Sequence, residues 1–196
     1  MNLTWRNGNI PSAWKQANVT PIYKGEGDKS GPANYRPISL TACCCKVFER
    51  AIQRRLLTQI DHHISRFQSG FRNRHGTLDQ LYRLRAAAHR AHNTGKVLPA
   101  AFLDISRAFD RCWIPGILLK LRRMGITGRA WAWVKAFLTG RSIRVVAGGE
   151  HSDCFPTTAG VPQGAVLSPL LFLVMVNDLV DAVTKCEVAL FADDVC

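Results

Sequence analysis

The sequence predicts an α+β fold, and three observations carry the prediction. Two short apolar runs with strand character, at residues 97–103 and 187–191, each end in acidic residues. Between them lie stretches whose apolar positions recur at helical spacing. The elements follow the order strand, helices, hairpin, helix, strand, which suits helices packed beside a sheet. With 196 residues and no internal repeat or low-complexity tract, the chain has material for one sizeable domain or two small subdomains sharing a core.

In chain order, residues 17–23 alternate enough for a strand. The run Gly25, Glu26, Gly27, Asp28, Lys29, Ser30, Gly31, Pro32 is dense turn chemistry before extended residues resume at Tyr35. This predicts a hairpin with a long, mobile, charged tip. Over residues 42–60, Val47, Ala51, Ile52, Leu56 and Ile60 mark the apolar face of an amphipathic helix with arginines opposite. A second helix is expected from Thr77, as N-cap, to His92, where Asn93, Thr94 and Gly95 end it. Residues 97–103 read as a buried strand ending at Asp104. Helices follow at 114–124 and 128–138, stopped by Gly125 and Gly140. Residues 143–146 and 154–157 form a hairpin across Gly148, Gly149 and Glu150, 166–182 a helix, and 187–191 a last strand.

Lys and Arg outnumber Asp and Glu by 26 to 14, mostly in the first three quarters of the chain. A field of that sign favours a polyanion, although a solubilising surface explains charge alone equally well. The seven cysteines, including the run Cys43, Cys44, Cys45, have no zinc-site spacing and an odd count. They read as small buried hydrophobes in a reducing, intracellular compartment, nucleus or cytoplasm. The longest apolar run, 167–176, is too short to span a bilayer, so no membrane role is expected. Trp131 and Trp133 stand two apart on one helix and therefore face different ways; core or rim burial is expected of them rather than base stacking.

The acids carry the chemistry. Asp104 closes one apolar strand and Asp193 and Asp194 close another. If those strands are neighbours, the carboxylates cluster and repel, and a hard cation such as Mg²⁺ or Mn²⁺ is the natural partner. Two such ions, about 3.5 to 4 Å apart, activate a 3′-hydroxyl and stabilise leaving pyrophosphate. On spacing alone the blander reading, a turn and a helix cap, is preferred.

The wording around the acids reverses that preference. Ala101-Phe102-Leu103-Asp104-Ile105-Ser106-Arg107-Ala108-Phe109-Asp110, then the stretch Gly160-Val161-Pro162-Gln163-Gly164-Ala165 continuing through Ser168-Pro169, then Phe191-Ala192-Asp193-Asp194, resemble in order motifs A, B and C of non-LTR, LINE-type retrotransposon reverse transcriptases. Upstream, Trp14-Lys15-Gln16-Ala17 with Pro21-Ile22-Tyr23-Lys24, and Asn34-Tyr35-Arg36-Pro37-Ile38-Ser39-Leu40, resemble the fingers motifs. Phe67-Gln68-Ser69-Gly70-Phe71-Arg72 is similar to the block that follows in jockey and CR1-like elements. The resemblance implies the fingers and palm of a right-hand polymerase, an antiparallel palm sheet packed on helices. Fingers with part of the palm would occupy residues 1–96, and the palm core 97–196. The function implied is RNA-directed DNA polymerisation, with an RNA template, a DNA primer, dNTPs and two Mg²⁺ or Mn²⁺ ions.

Carried over residue by residue, the resemblance makes Asp104 and Asp193 metal ligands, with the Ile105 carbonyl as an extra ligand and Asp194 in support. Phe109 falls where a flat ring excludes a ribose 2′-hydroxyl; its alternative is a core phenylalanine. Lys24 and Arg36 would close over the triphosphate, or else be exposed charges on a hairpin. Gln163 and Gly164 would contact the nucleotide, or else form a structural turn. Gln68 and Arg72 are assigned to template contact, against a loop packed on the palm.

The sequence ends at Cys196, two residues after Asp194, so only a stub of the next strand and no helical thumb are expected, with polymerase activity weak or absent. The competing readings are a non-catalytic nucleic-acid-binding remnant and, further off, a group II intron maturase-like polymerase.

Overall fold

The fold is a computed structural model describing residues 2–196, with side chains from Thr4 onward. Two short helices, α1 (Asn2–Asn7) and α2 (Ser12–Lys15), lead into β1 (Gln16–Tyr23). It pairs antiparallel with β2 (Tyr35–Leu40), from Asn18 opposite Leu40 to Tyr23 opposite Tyr35. The glycine-rich tip between them is organised by its own polar groups: Lys24 N–H donates to Asn34 O at 2.9 Å, Ser30 N–H to Asp28 Oδ1 at 3.0 Å, and Asn34 Nδ2 to Asp28 O at 2.7 Å. Side-chain-to-backbone bonds of this kind take the place of ladder bonds that the turn cannot make.

Helix α3 (Cys43–Ile60) buries Ile52, Leu56 and Ile60 of the expected stripe, while Val47 and Ala51 are left exposed. Helix α4 (Thr77–Asn93) follows, then β3 (Leu103–Asp104), α5 (Ile114–Arg123) and α6 (Gly128–Leu138). Strands β4 (Arg141–Ala147), β5 (Glu150–His151) and β6 (Phe155–Thr157) come next. Helix α7 (Ser168–Val176) and the hairpin β7 (Leu190–Phe191) and β8 (Asp194–Val195) complete the chain.

Helices α3, α5, α6 and α7 share the core. Trp133 is fully buried, its ring stacked on Phe137 at 5.5 Å and tilted against Phe48 at 5.3 Å. Side chains of this size contribute about 1.5–3 kcal/mol each when fully buried. Trp131, two residues earlier, sits at the rim and donates its indole N–H to Leu118 O at 2.9 Å. Helix α7 is apolar all round because core surrounds it, with Leu170 through Val174 all buried.

Two sheets frame this core. In the first, β1 is central: β4 pairs parallel to it, from Gln16 opposite Ser142 to Val19 opposite Val145. Strands from both sides of residue 96 thus join one sheet. The second has the order β3-β8-β7.

Several expectations are corrected. Of residues 97–103 only Leu103 enters a strand, and the stretch is open: Val97 is 90%, Phe102 71% and Leu103 63% exposed. Apolar composition reads as buried, but burial needs a covering layer, and β3 is an edge strand paired only with β8. Gly76, not Thr77, is the N-cap of α4, its N–H held by the Asp79 carboxylate at 2.8 Å. The helix expected over 166–182 starts at Ser168, next to Pro169, and tightens into a 3₁₀ turn over Asn177–Ala182. Only Cys45 and Cys112 are buried; Cys43, Cys44, Cys154 and Cys186 are exposed. No helix among the described residues is long and apolar enough to cross a membrane.

Candidate functional site

The site is built where β8 enters between β3 and β7. Asp104 stands directly opposite Asp194, and Phe191 opposite Asp194 on the other side. The pairing continues past the strand ends through reciprocal Ala189–Cys196 backbone bonds at 2.7 and 2.9 Å. Directly opposed residues on an antiparallel pair put their Cβ atoms about 5 Å apart on one face, so Asp104 and Asp194 are close neighbours. Asp193 occupies the hairpin turn beside Ala192, which takes φ +58°. Among the described residues the four ion pairs involve none of these three acids. Nor do the described residues contain a cluster of three His, Cys, Asp or Glu able to hold a metal ion unaided.

The turn that follows β3 is tied to motif B. Val161 N–H donates to Phe109 O at 2.8 Å and Gly160 N–H to Cys112 O at 2.9 Å. Gly160 has φ +84°, and a Cβ there would lie 2.6 Å from Asp110 O, so only glycine allows this approach. Ile105 packs its side chain on the core. The Phe109 ring is half-buried, stacked on Phe172 at 5.1 Å and edge-on to Phe71 at 6.0 Å.

Motif B in turn touches the fingers hairpin. Ser39 N–H donates to Gln163 O at 2.7 Å, and a Cβ on Gly164, φ +115°, would lie 2.9 Å from Ser39 O and 3.6 Å from Ile38 Cγ2. Arg36 is exposed and shares the β2 face of Ile38 by strand alternation, so it lies on the side of the Gln163–Gly164 turn. Lys24 lies just beyond β1 and donates Nζ to Ala33 O at 2.8 Å within the hairpin.

Gln68 and Arg72 differ in how far their side chains are engaged by the protein. Gln68 is 2% exposed and hydrogen-bonds the Ala192 turn. Arg72 donates Nη1 to Ser65 O and Gln68 O at 3.1 and 3.2 Å and pairs with Asp61 at 3.3 Å. Gln68 matches the alternative of a loop packed on the palm, whereas Arg72 also lines a groove with Arg50 and Arg54.

Residues 24–196 match the family described as reverse transcriptase (RNA-dependent DNA polymerase). The chain belongs to the reverse transcriptase family. Its similarity to the RNA-directed DNA polymerase of mobile element jockey from Drosophila melanogaster is 39% identity over 95% of this chain and 21% of that protein. The probable RNA-directed DNA polymerase of the X-element from the same species is 36% identical over 95% of the chain and 21% of its own length. The non-LTR retrotransposon lineage expected from the motifs is borne out, and the chain spans about a fifth of the length of these relatives. The solved partial Cas6-RT-Cas1–Cas2 complex has a chain that superposes with a TM-score of 0.50 at 16% identity, covering 98% of this chain and 30% of that one. That likeness speaks for the fold.

In this reverse transcriptase chain, sequence reasoning missed a basic groove of ≈ 550 Å³ lined by Arg50, Arg54, Phe71 and Asn73 among others. The i, i+4 spacing of Arg50 and Arg54 on α3 was the available signal. It missed Glu49 as well, a fully buried carboxylate that accepts Leu167 N–H at 3.0 Å, and Gln53, whose Nε2 donates to Val166 O at 3.1 Å.

Proposed function

We propose that this chain forms the fingers and palm of an RNA-directed DNA polymerase that adds dNTPs to a primer 3′-hydroxyl on an RNA template. The observation that carries the reading is the register of Asp104 against Asp194 with Asp193 in the adjoining turn. The donor set fits a hard divalent ion: oxygen only, two acids within cross-strand reach, and remaining positions left to water and substrate phosphates, as Mg²⁺ prefers. When bound, two Mg²⁺ or Mn²⁺ ions would lower the proton affinity of the 3′-hydroxyl and offset charge on the leaving pyrophosphate. Asp104 and Asp193 are the proposed direct ligands, Asp194 their support, and the Ile105 carbonyl a further ligand.

The neighbouring residues take positioning and exclusion roles in this reading. Phe109, braced by Phe172, presents ring bulk to exclude a 2′-hydroxyl. Gln163 and Gly164 line the nucleotide from motif B. Arg36, with its planar fork, and Lys24, as a point charge, hold triphosphate oxygens from the hairpin.

Primer extension of oligo(dT) on poly(rA) with Mg²⁺ or Mn²⁺ tests this. The comparison is between this chain, the same chain continued by the segment that follows in the jockey polymerase, and Asp193→Ala in both. Extension by the continued chain that Asp193→Ala abolishes is the expected result. The basic groove favours a second reading, a non-catalytic binding module. Failure of the continued chain with either metal, alongside steeply salt-dependent RNA binding, would replace the polymerase by that module.

A further inference from the structure

We infer that Gln68 and Gly70 are positioning residues for the turn that presents Asp193, clasping it from behind instead of touching a template; the inference rests on the polymerase reading of the acids. Ala192 carries a side chain at φ +58°, a region that disfavours any residue but glycine, so the turn needs support from outside its hairpin. Gln68 supplies it. Its Oε1 accepts Ala192 N–H at 2.9 Å and its Nε2 donates to Ala192 O at 3.2 Å, so one side-chain amide satisfies both backbone groups of the strained residue.

The same Oε1 also accepts Gly70 N–H at 2.7 Å. Two N–H donors aimed at one atom leave no doubt which end of the amide is oxygen. At 2% exposure, Gln68 has no polar atom left for a ligand.

The main chain around Gln68 extends the clasp. Leu190 N–H donates to Phe67 O and Ser69 N–H to Leu190 O, both at 2.9 Å, making residues 67–69 a short parallel partner on the open side of β7. Gln80 from α4 reinforces the junction, its Nε2 reaching Ser69 Oγ at 2.6 Å, Phe67 O at 2.9 Å and Leu190 O at 3.1 Å. Arg72 fixes the far end by holding Ser65 and Gln68 carbonyls together. Gly70 sets the approach: a Cβ there would lie 2.1 Å from Ala192 N and 2.8 Å from its Cα, and both are backbone atoms that cannot step aside.

Asp193 is covalently next to the clasped residue. Releasing Ala192 would let the turn relax toward ordinary φ and shift Asp193, the next residue in the turn. Groups that orient a metal ligand without touching the metal typically alter affinity by about 10–100-fold.

The test uses this chain with Mn²⁺ alone. In the wild type, Ala192 N–H should be among the protected amides in hydrogen exchange followed by NMR; rapid exchange there would overturn the clasp. Gln68→Met keeps the length and removes the hydrogen bonds, and Gly70→Ala pushes the turn off its seat. Each should weaken Mn²⁺ binding by about 10-fold at a temperature where circular dichroism shows the fold intact, and Gln68→Met should speed Ala192 exchange by at least about 10-fold. Ile126→Val, a buried change far along the chain from the turn, controls for general loosening and should leave Mn²⁺ affinity alone. Loss of Mn²⁺ binding in Asp104→Ala with none in Gln68→Met or Gly70→Ala would overturn the positioning role alone. Equal Mn²⁺ binding by wild type and Asp104→Ala would overturn the polymerase reading and the positioning role together.

Discussion

Phe109 is restrained at both backbone and ring. Its carbonyl accepts Val161 N–H, while its ring lies at 17° to Phe172 and at 78° to Phe71. The two readings open in the sequence, core phenylalanine and sugar gate, therefore share one geometry: a ring half-buried against α7 is rigid enough to exclude an oxygen. Replacing Phe109 by Val in an active, continued chain should lower the kcat/KM preference for dTTP over UTP by about 10-fold or more, measured by single-nucleotide incorporation. An unchanged ratio would leave Phe109 a packing residue. At this scale the sequence was a good guide to identity and a poor one to direction. Gln68 and Phe109 were both singled out, yet nothing local distinguishes a glutamine facing a template from one facing Ala192, because the partner lies 124 residues away.

Among elements, the approach of α3 to the start of α7 shows how a helix surface residue becomes interior. Glu49 lies in an amphipathic helix rich in arginine and reads there as solvent-facing, but it is fully buried and its Oε2 accepts Leu167 N–H just ahead of α7. Arg141, 5% exposed at the start of β4, donates Nη1 to Phe137 O at 3.1 Å. Burial pulls its guanidinium below the ordinary value, while Cys45 and Glu49 nearby push back. Burial, with Glu49 adding to it, pushes the Cys45 thiol up to about 12, so it stays protonated beside the carboxylate. Glu49→Ala would leave Leu167 N–H buried without its acceptor, and should cost about 2 kcal/mol in urea unfolding. Glu49→Gln, which keeps the acceptor for Leu167 N–H, should cost clearly less. Equal losses would show that the negative charge, which both variants remove, and not the acceptor for Leu167 N–H, is what stabilises.

On the scale of the whole molecule, net charge of +12 and the groove along α3 act together. Arg50 and Arg54 are exposed on one helix face, and cations so placed release counterions from a bound nucleic acid. Arg50→Ala with Arg54→Ala should flatten the slope of log affinity against log salt for single-stranded RNA by about 0.7 for each cation removed. Filter binding over a range of salt concentrations measures it. A slope unchanged by the pair would place the RNA on another face.

By itself the sequence determined the α+β class, the helical stripes of α3, α5 and α6, the β1–β2 hairpin and the three acids, because each is written in local periodicity, turn residues or contiguous motifs. Family membership was legible for the same reason. Only tertiary structure decided that β1 runs parallel to β4, that residues 97–103 lie open, and that Asp104 faces Asp194. It also decided that Gln68 turns inward onto Ala192. Strand partnership and burial are set by segments far apart in the chain, and no window of sequence contains both sides of such a contact.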